Sequence, residues 1–484
     1  MLTNSRAPRG ALPLFATLLL GALFAPALQL AAQDPQAPTA PSMPPPITTP
    51  ALMPDLGVQQ EIRELRASVH ALRSEVEAAR ATGAGASARV RELEQLLTNE
   101  QGALLEQEIR TGVARIGGWS QSDKRKLTLG GYFDTEFRID HAGAQNDTFD
   151  QHRLVLQFDA DLAGPVSFRS EIEFEGGGFV SGTGNYLSSN QILIEYAETH
   201  IAFNDAFNFK VGSLLIPFNR FNYEHDAPLQ DLTDRPLVNR RIVPTTWNDA
   251  GIGIYGAFHP DFATIDYDIV LVNGFTERIN AVDGIRNARA SFRRDNNDNK
   301  TVAGRIGVSL DVGFLDNLSF GASAMLGKYD DENQKMATML GLDWRLRKGP
   351  FEVLGEYAKL NLERGPGEIG ATPPVPGGMD GWYLEARYRF FPESWRGDGL
   401  FGQKSSFTLV TRYDSVDSDT AGTAVDFASR GDAYRDDRRR ITFGLNFRPT
   451  QQTVVKLEYQ WLVEPSGIPT VDNDRIVASL ATYF

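Results

Sequence analysis

No cysteine occurs in the 484-residue chain. That absence removes disulfides, thiolate metal sites and cysteine nucleophiles, and it fits an exported protein that avoids stray oxidation. Beyond residue 32 no stretch offers twenty consecutive apolar side chains, so helical membrane spans are excluded. An excess of basic charge is also missing: the formal net charge is −14 and the pI about 5.0, which argues against a nucleic-acid partner. Histidines at metal-ligand spacing are lacking. His70, His141, His152, His200, His225 and His259 are scattered, and no pair shares a regular element at the right interval. Gly176-Gly177-Gly178 follows a strand without opening a helix, so it is no nucleotide loop. The acidic run Arg293–Asn299 lacks the glycine and terminal glutamate of a helix-loop-helix calcium site. Ser181, Ser188 and Ser189 have no identifiable base nearby, so no catalytic set, and hence no enzyme, is expected. No cofactor is called for.

What the chain does have is alternation. Ile441, Phe443, Leu445 and Phe447 share one parity, with Arg440, Thr442, Gly444, Asn446 and Arg448 on the other. The pattern resumes as Thr453-Val455-Leu457-Tyr459-Trp461 against Val454-Lys456-Glu458-Gln460, and a third run, 475–484, ends on Phe484. Period two over nine or ten residues means a strand with one apolar and one polar face. One such strand fits the edge of a soluble sandwich. Three in succession, each long enough to cross a membrane, predict a transmembrane barrel with lipid outside and water inside. A mean hydropathy of −0.29 is compatible with this, because half of each strand faces water. The chain's 45 glycines, 29 Phe and 14 Tyr suit turns and aromatic girdles.

In chain order, residues 1–32 have the layout of a signal peptide: Arg6 and Arg9, an apolar run, then Ala31-Ala32. Residues 33–55 form a Pro-rich, extended linker. Within 56–110, Ile62, Leu65, Val69, Leu72, Val76 and Ala79 are spaced 3, 4, 3, 4, 3, an a/d seam that predicts a self-associating α-helical coiled coil. Residues 111–125, with Gly112, Gly117 and Gly118, read as a hinge. From 126 to 484 about sixteen strand candidates follow, joined by short turns on one side and long polar loops on the other. The fold class expected is an all-β transmembrane antiparallel barrel preceded by a coiled coil. Parity is lost near 196–203, as at a bulge.

Leu214–Asn248 is too long for a turn and mixes aromatics, prolines and arginines; long connections of this kind are commonly functional. Folded into the lumen, it would bury its apolar residues and present Arg220, Arg235, Arg240 and Arg241 to a pore constriction. Inward parity also assigns Arg387, Arg389, Arg412, Arg440, Asp134, Glu171 and Glu173 to the lumen lining. Acidic early strands opposite basic later ones would set a transverse field across the pore.

The run Phe209-Lys210-Val211-Gly212 to Ile216-Pro217-Phe218, then Arg235-Pro236-Leu237-Val238, then Trp247-Asn248-Asp249-Ala250-Gly251-Ile252-Gly253 resembles the phosphate-selective porin O/P family. The resemblance extends more weakly over 126–484, including Gly131-Tyr132-Phe133-Asp134 and the terminal Phe484. It implies a trimeric sixteen-stranded outer-membrane barrel whose third long loop narrows the pore, and a coiled coil in the periplasm. It also implies recognition of Phe484 by the assembly machinery. The chain departs from that pattern in one respect: Leu214–Asn248 has no lysine, and Glu224, Asp226, Asp231 and Asp234 offset its four arginines. The expected function is passive diffusion of small hydrophilic solutes, biased toward anions such as phosphate, because arginine forks suit oxyanions. Two alternatives stay open. The coiled coil could make the protein a structural anchor contacting the cell wall, or Phe218, Tyr223 and Trp247 could form a stacking track for sugars.

Overall fold

The computed structural model describes Ala71 and residues 115–117, 126–140, 147–176, 192–281, 283–289, 295–369, 375–397, 401–420, 437–463 and 473–484. The expected signal peptide, linker and, apart from Ala71, coiled coil lie outside the described residues. Seventeen strands follow one another: β1 (Arg115–Gly117), β2 (Lys126–Asp140), β3 (Thr148–Ala163), β4 (Val166–Glu175), β5 (Ile192–Asn204), β6 (Phe207–Leu215), β7 (Asn248–Phe258), β8 (Ala263–Val272) and β9 (Thr301–Leu310). Then come β10 (Asn317–Lys328), β11 (Met336–Lys348), β12 (Phe351–Leu362), β13 (Gly378–Phe390), β14 (Ser406–Asp417), β15 (Asp437–Arg448), β16 (Thr453–Val463) and β17 (Arg475–Tyr483).

Strands β2 to β17 each pair antiparallel with their chain neighbours, and β17 returns to β2 from Arg475↔Asp140 to Tyr483↔Tyr132. This closes a sixteen-stranded antiparallel barrel and leaves no open sheet edge, which a span in lipid requires. The short β1 pairs only with the start of β2, Gly117 opposite Lys126, within the expected hinge.

Alternation sets the two faces. On β15, Phe443 and Leu445 are exposed on the outer surface while Arg440, Thr442 and Asn446 are buried inside; β16 repeats this with Leu457 outside and Lys456, Glu458 and Gln460 inside. Turns such as Gly164-Pro165 and Gly349-Pro350 join strands at one end, with both glycines at positive φ (57° and 55°) that favours a residue without Cβ. The long connections, 216–247 and 273–300 among them, lie at the other end.

Candidate pore-lining site

The 216–247 segment, here the inner loop, touches the inward faces of strands all around the barrel, so it lies within the lumen. Its apolar half is a core. Ile216, Phe218, Val238, Ile242, Val243 and Trp247 pack with the inward residues Met325, Met339, Leu360, Met379 and Val416 of β10–β14. A one-turn helix, α1 (Val238–Arg241), sits within this half.

Its polar half is held by side chains of the wall. Ser323 accepts the Asn219 backbone N–H at 2.9 Å, Glu356 that of Phe221 at 2.6 Å, and Asp414 that of Leu237 at 3.0 Å. Arg412 donates to the Asp234 carbonyl (2.7 Å), Arg440 to that of Arg235 (2.9 Å), Arg448 to that of Pro228 (2.9 Å) and Lys456 to that of Ala227 (2.9 Å). Asp231 pairs with Arg448 at 3.0 Å and Arg387 at 3.2 Å, and Asp234 with Arg138 at 2.9 Å and Arg440 at 3.2 Å. Burial alone would raise the pKa of both loop aspartates, but Arg387 and Arg448 beside Asp231, and Arg138 and Arg440 beside Asp234, outweigh it and hold them below the usual carboxylate range.

The residues expected from sequence therefore divide. Arg387, Arg412 and Arg440 do face inward, but their charge is spent on carboxylates: Arg387 on Asp231, Glu352 and Glu385, Arg412 on Asp414 and Glu385, Arg440 on Asp234 and Asp414. Arg220 reaches Ser319 at 2.8 Å, Asp343 at 3.4 Å and Glu224 at 3.7 Å. Arg389 keeps its Nε without a hydrogen-bond partner. Arg240 is exposed and lies 3.9 Å from Asp234; Arg241 is half-buried, and its carbonyl accepts Ile285 N–H at 2.9 Å. Asp134, Glu171 and Glu173 are buried on the inward face. Phe218, Tyr223 and Trp247 are 0, 3 and 2% exposed, consumed by packing and not presented as a stacking track.

Arg235 is different, and so are two residues that sequence reasoning missed. It donates to the Thr245 carbonyl, as does Arg286 at 2.8 Å, while Arg289 donates to the Thr246 carbonyl at 2.5 Å. Among the described residues none of the three has a carboxylate within ion-pair distance. Burial, then Arg289 and Arg235 beside it, push Arg286 below its ordinary pKa, though a guanidinium stays cationic at neutral pH. Arg286 and Arg289 lie in the 273–300 connection, which reads in sequence as a plain polar loop. The available signal was its apolar minority: Phe275 stacks on Trp247 at 4.8 Å, and Ile279, Ile285 and Ala288 join the inner loop's core.

Residues 130–354 match the family model of the phosphate-selective porins O and P. The match covers just under half of the chain and includes the inner loop. Together with the closed sixteen-strand antiparallel barrel, the match supports an outer-membrane channel. An uncharacterized protein of Aquifex aeolicus (strain VF5) is 26% identical over 381 residues, which is 75% of this chain and 80% of the relative. Similar solved structures include a loop-deletion mutant of OmpT, an outer-membrane protein of Vibrio cholerae, at 12% identity and TM-score 0.46 over 75% of this chain and 100% of that one. The anion-selective porin from Comamonas acidovorans is similar at 13% identity and TM-score 0.44, covering 74% of this chain and 100% of its own.

Proposed function

We propose that the barrel is a passive diffusion channel biased toward small anions, oxyanions such as phosphate among them. The observation that supports this is the trio Arg235, Arg286 and Arg289, whose guanidinium groups crowd onto the carbonyls of Thr245 and Thr246 with no carboxylate within ion-pair distance among the described residues. The arginines elsewhere on the wall mostly face acids, and they cancel in the field that a passing ion meets. Three clustered cations without direct ion-pair partners lower the barrier for an anion and raise it for a cation. Their planar forks offer paired donors to tetrahedral oxyanions. Arg240 and Arg241, next along the loop, extend the same positive patch. The trimeric assembly, the signal peptide, and the periplasmic coiled coil at 56–110 with any cell-wall contact belong to the same proposal and rest on the sequence pattern and family resemblance.

The test is the reversal potential of the purified protein in a planar bilayer across a KCl gradient. The wild type is expected to be anion-selective. Arg286→Ala/Arg289→Ala, and separately Arg240→Ala/Arg241→Ala, should lose part of that selectivity, and inorganic phosphate should reduce chloride current in the wild type. A cation-selective or unselective wild type overturns the anion reading.

A further inference from the structure

A second group of inward side chains converges on the inner loop beside Thr246. Glu171 stands on β4, Glu195 on β5 and His225 on the loop, and one ligand atom from each lies within 4.8 Å of the others. Their exposures are 0, 2 and 1%. A bulge places Glu195 there. The β4–β5 register steps from Glu171↔Tyr196 to Ile172↔Ile194, which leaves Glu195 unmatched, so that Glu195 and Tyr196 both turn inward.

Each of the three is oriented from behind. Gln157 Nε2 donates to Glu171 Oε2 at 2.9 Å, and the Thr246 hydroxyl donates to Glu195 Oε1 at 2.6 Å. His225 Nδ1 lies 3.0 Å from the Asn222 carbonyl oxygen. A carbonyl only accepts, so Nδ1 carries the proton, and a neutral imidazole turns the lone pair of Nε2 toward Glu195 Oε2, 3.0 Å away. Two acceptors at that distance repel unless a cation joins them. Two ligands about 2.1 Å from one metal ion and near right angles to each other are about 3 Å apart, which matches. A proton on Nε2 would satisfy Glu195 but would leave Glu171 Oε1, which has no hydrogen-bond partner, bare in a fully buried site. Backing of each ligand by an outer hydrogen bond is the usual construction of a protein metal site.

We propose that Glu171, Glu195 and His225 bind a divalent first-row transition-metal cation that fastens the inner loop to the β4–β5 wall. The imidazole ligand favours Zn2+ or a neighbour over Mg2+ or Ca2+, which prefer oxygen alone. The arginine trio supplies no ligand, and metal retention is measured apart from ion selectivity, so this inference can fail separately from the anion reading.

The experiment uses the full chain purified in detergent, stripped with EDTA, reloaded with excess Zn2+ and desalted before metal analysis. The wild type should retain about one Zn2+ per chain, and Glu171→Gln and His225→Gln about a tenth of that or less. His152→Ala should retain the wild-type amount; it removes a residue of the less buried Glu136–Asp150–His152 group. Should either ligand variant fail to fold, as judged by heat-modifiable gel mobility, Co2+ loaded into the wild type reports the site without mutation. An absorption spectrum with imidazole–carboxylate coordination supports the proposal, and a hexa-aqua spectrum overturns it. Failure of the wild type to retain Zn2+, or equal retention by folded ligand variants, also overturns it.

Discussion

Replacing Asp234 by asparagine tests whether ion pairs seat the inner loop. Its carboxylate accepts from Arg138 at 2.9 Å, Gln460 at 2.9 Å and Arg440 at 3.2 Å, and its side chain is 4% exposed. Stripping a buried ion of its only partner costs about 3–5 kcal/mol. Neither arginine would be stripped here, since Arg138 keeps Glu136 at 2.5 Å and Arg440 keeps Asp414 at 3.1 Å. The loss is therefore closer to that of one charge-assisted hydrogen bond, about 1.5–3 kcal/mol. At 1.4 kcal/mol per tenfold, the unseated fraction of the loop should rise roughly 10- to 150-fold. The contacts at Asn219, Phe221 and Leu237 remain, so mean conductance should change little. Open-channel current noise in single-channel recordings should rise clearly, and anion selectivity should increase because a lumenal negative charge is gone. Asp298→Asn, at an exposed position without an ion pair among the described residues, is the control. If noise and selectivity in Asp234→Asn both match that control, the reasoning about the seat is wrong.

Two further substitutions probe the architecture. Gly284 has φ +71°, and a Cβ there would stand 2.0 Å from the Arg241 carbonyl oxygen. Gly284→Ala should cost about 1–2 kcal/mol in backbone strain alone and push the 273–300 connection off the inner loop, which bilayer recordings would register as reduced anion selectivity as Arg286 leaves Thr245. Leu457 faces outward at 55% exposure near the middle of β16, so Leu457→Arg should lower barrel stability by about 2–4 kcal/mol in a urea-folding assay in lipid vesicles. A neutral result there would mean that the lipid-facing parity has been assigned backwards.

The barrel was legible because its constraint is local and repeated. Alternation from Arg440 to Arg448 read as a strand, and β15 contains that run. The lost parity near 196–203 marked a real irregularity, since the β4–β5 register breaks beside Tyr196. The site was legible only in part. Inward parity identified Arg387, Arg412 and Arg440 but not their carboxylate partners, because pairing joins residues far apart in sequence, such as Asp234 and Arg440. Met325, Met339 and Met379 lie on lumen-facing positions, where polar residues are the rule, and they answer the apolar side of a loop far earlier in the chain. His225 looked isolated for the same reason: its meeting with Glu195 needs the loop folded inward and the bulge on β5.

The seating of the inner loop also fixes an order of assembly. The loop follows β6, yet Arg412, Arg440, Arg448, Lys456 and Glu458, which grip it, belong to β14–β16, and Tyr483, which donates to Asp226 at 2.9 Å, lies on the closing strand. Contacts of such long sequence separation form late in folding. Until the final hairpins arrive, Asp231 lacks Arg448, Asp234 lacks Arg440, and Asp226 lacks the Tyr483 hydroxyl. The ring and its plug are completed together, and a chain cut short before β14 would present an open sheet with a partly seated insert, a form suited to degradation and not to transport.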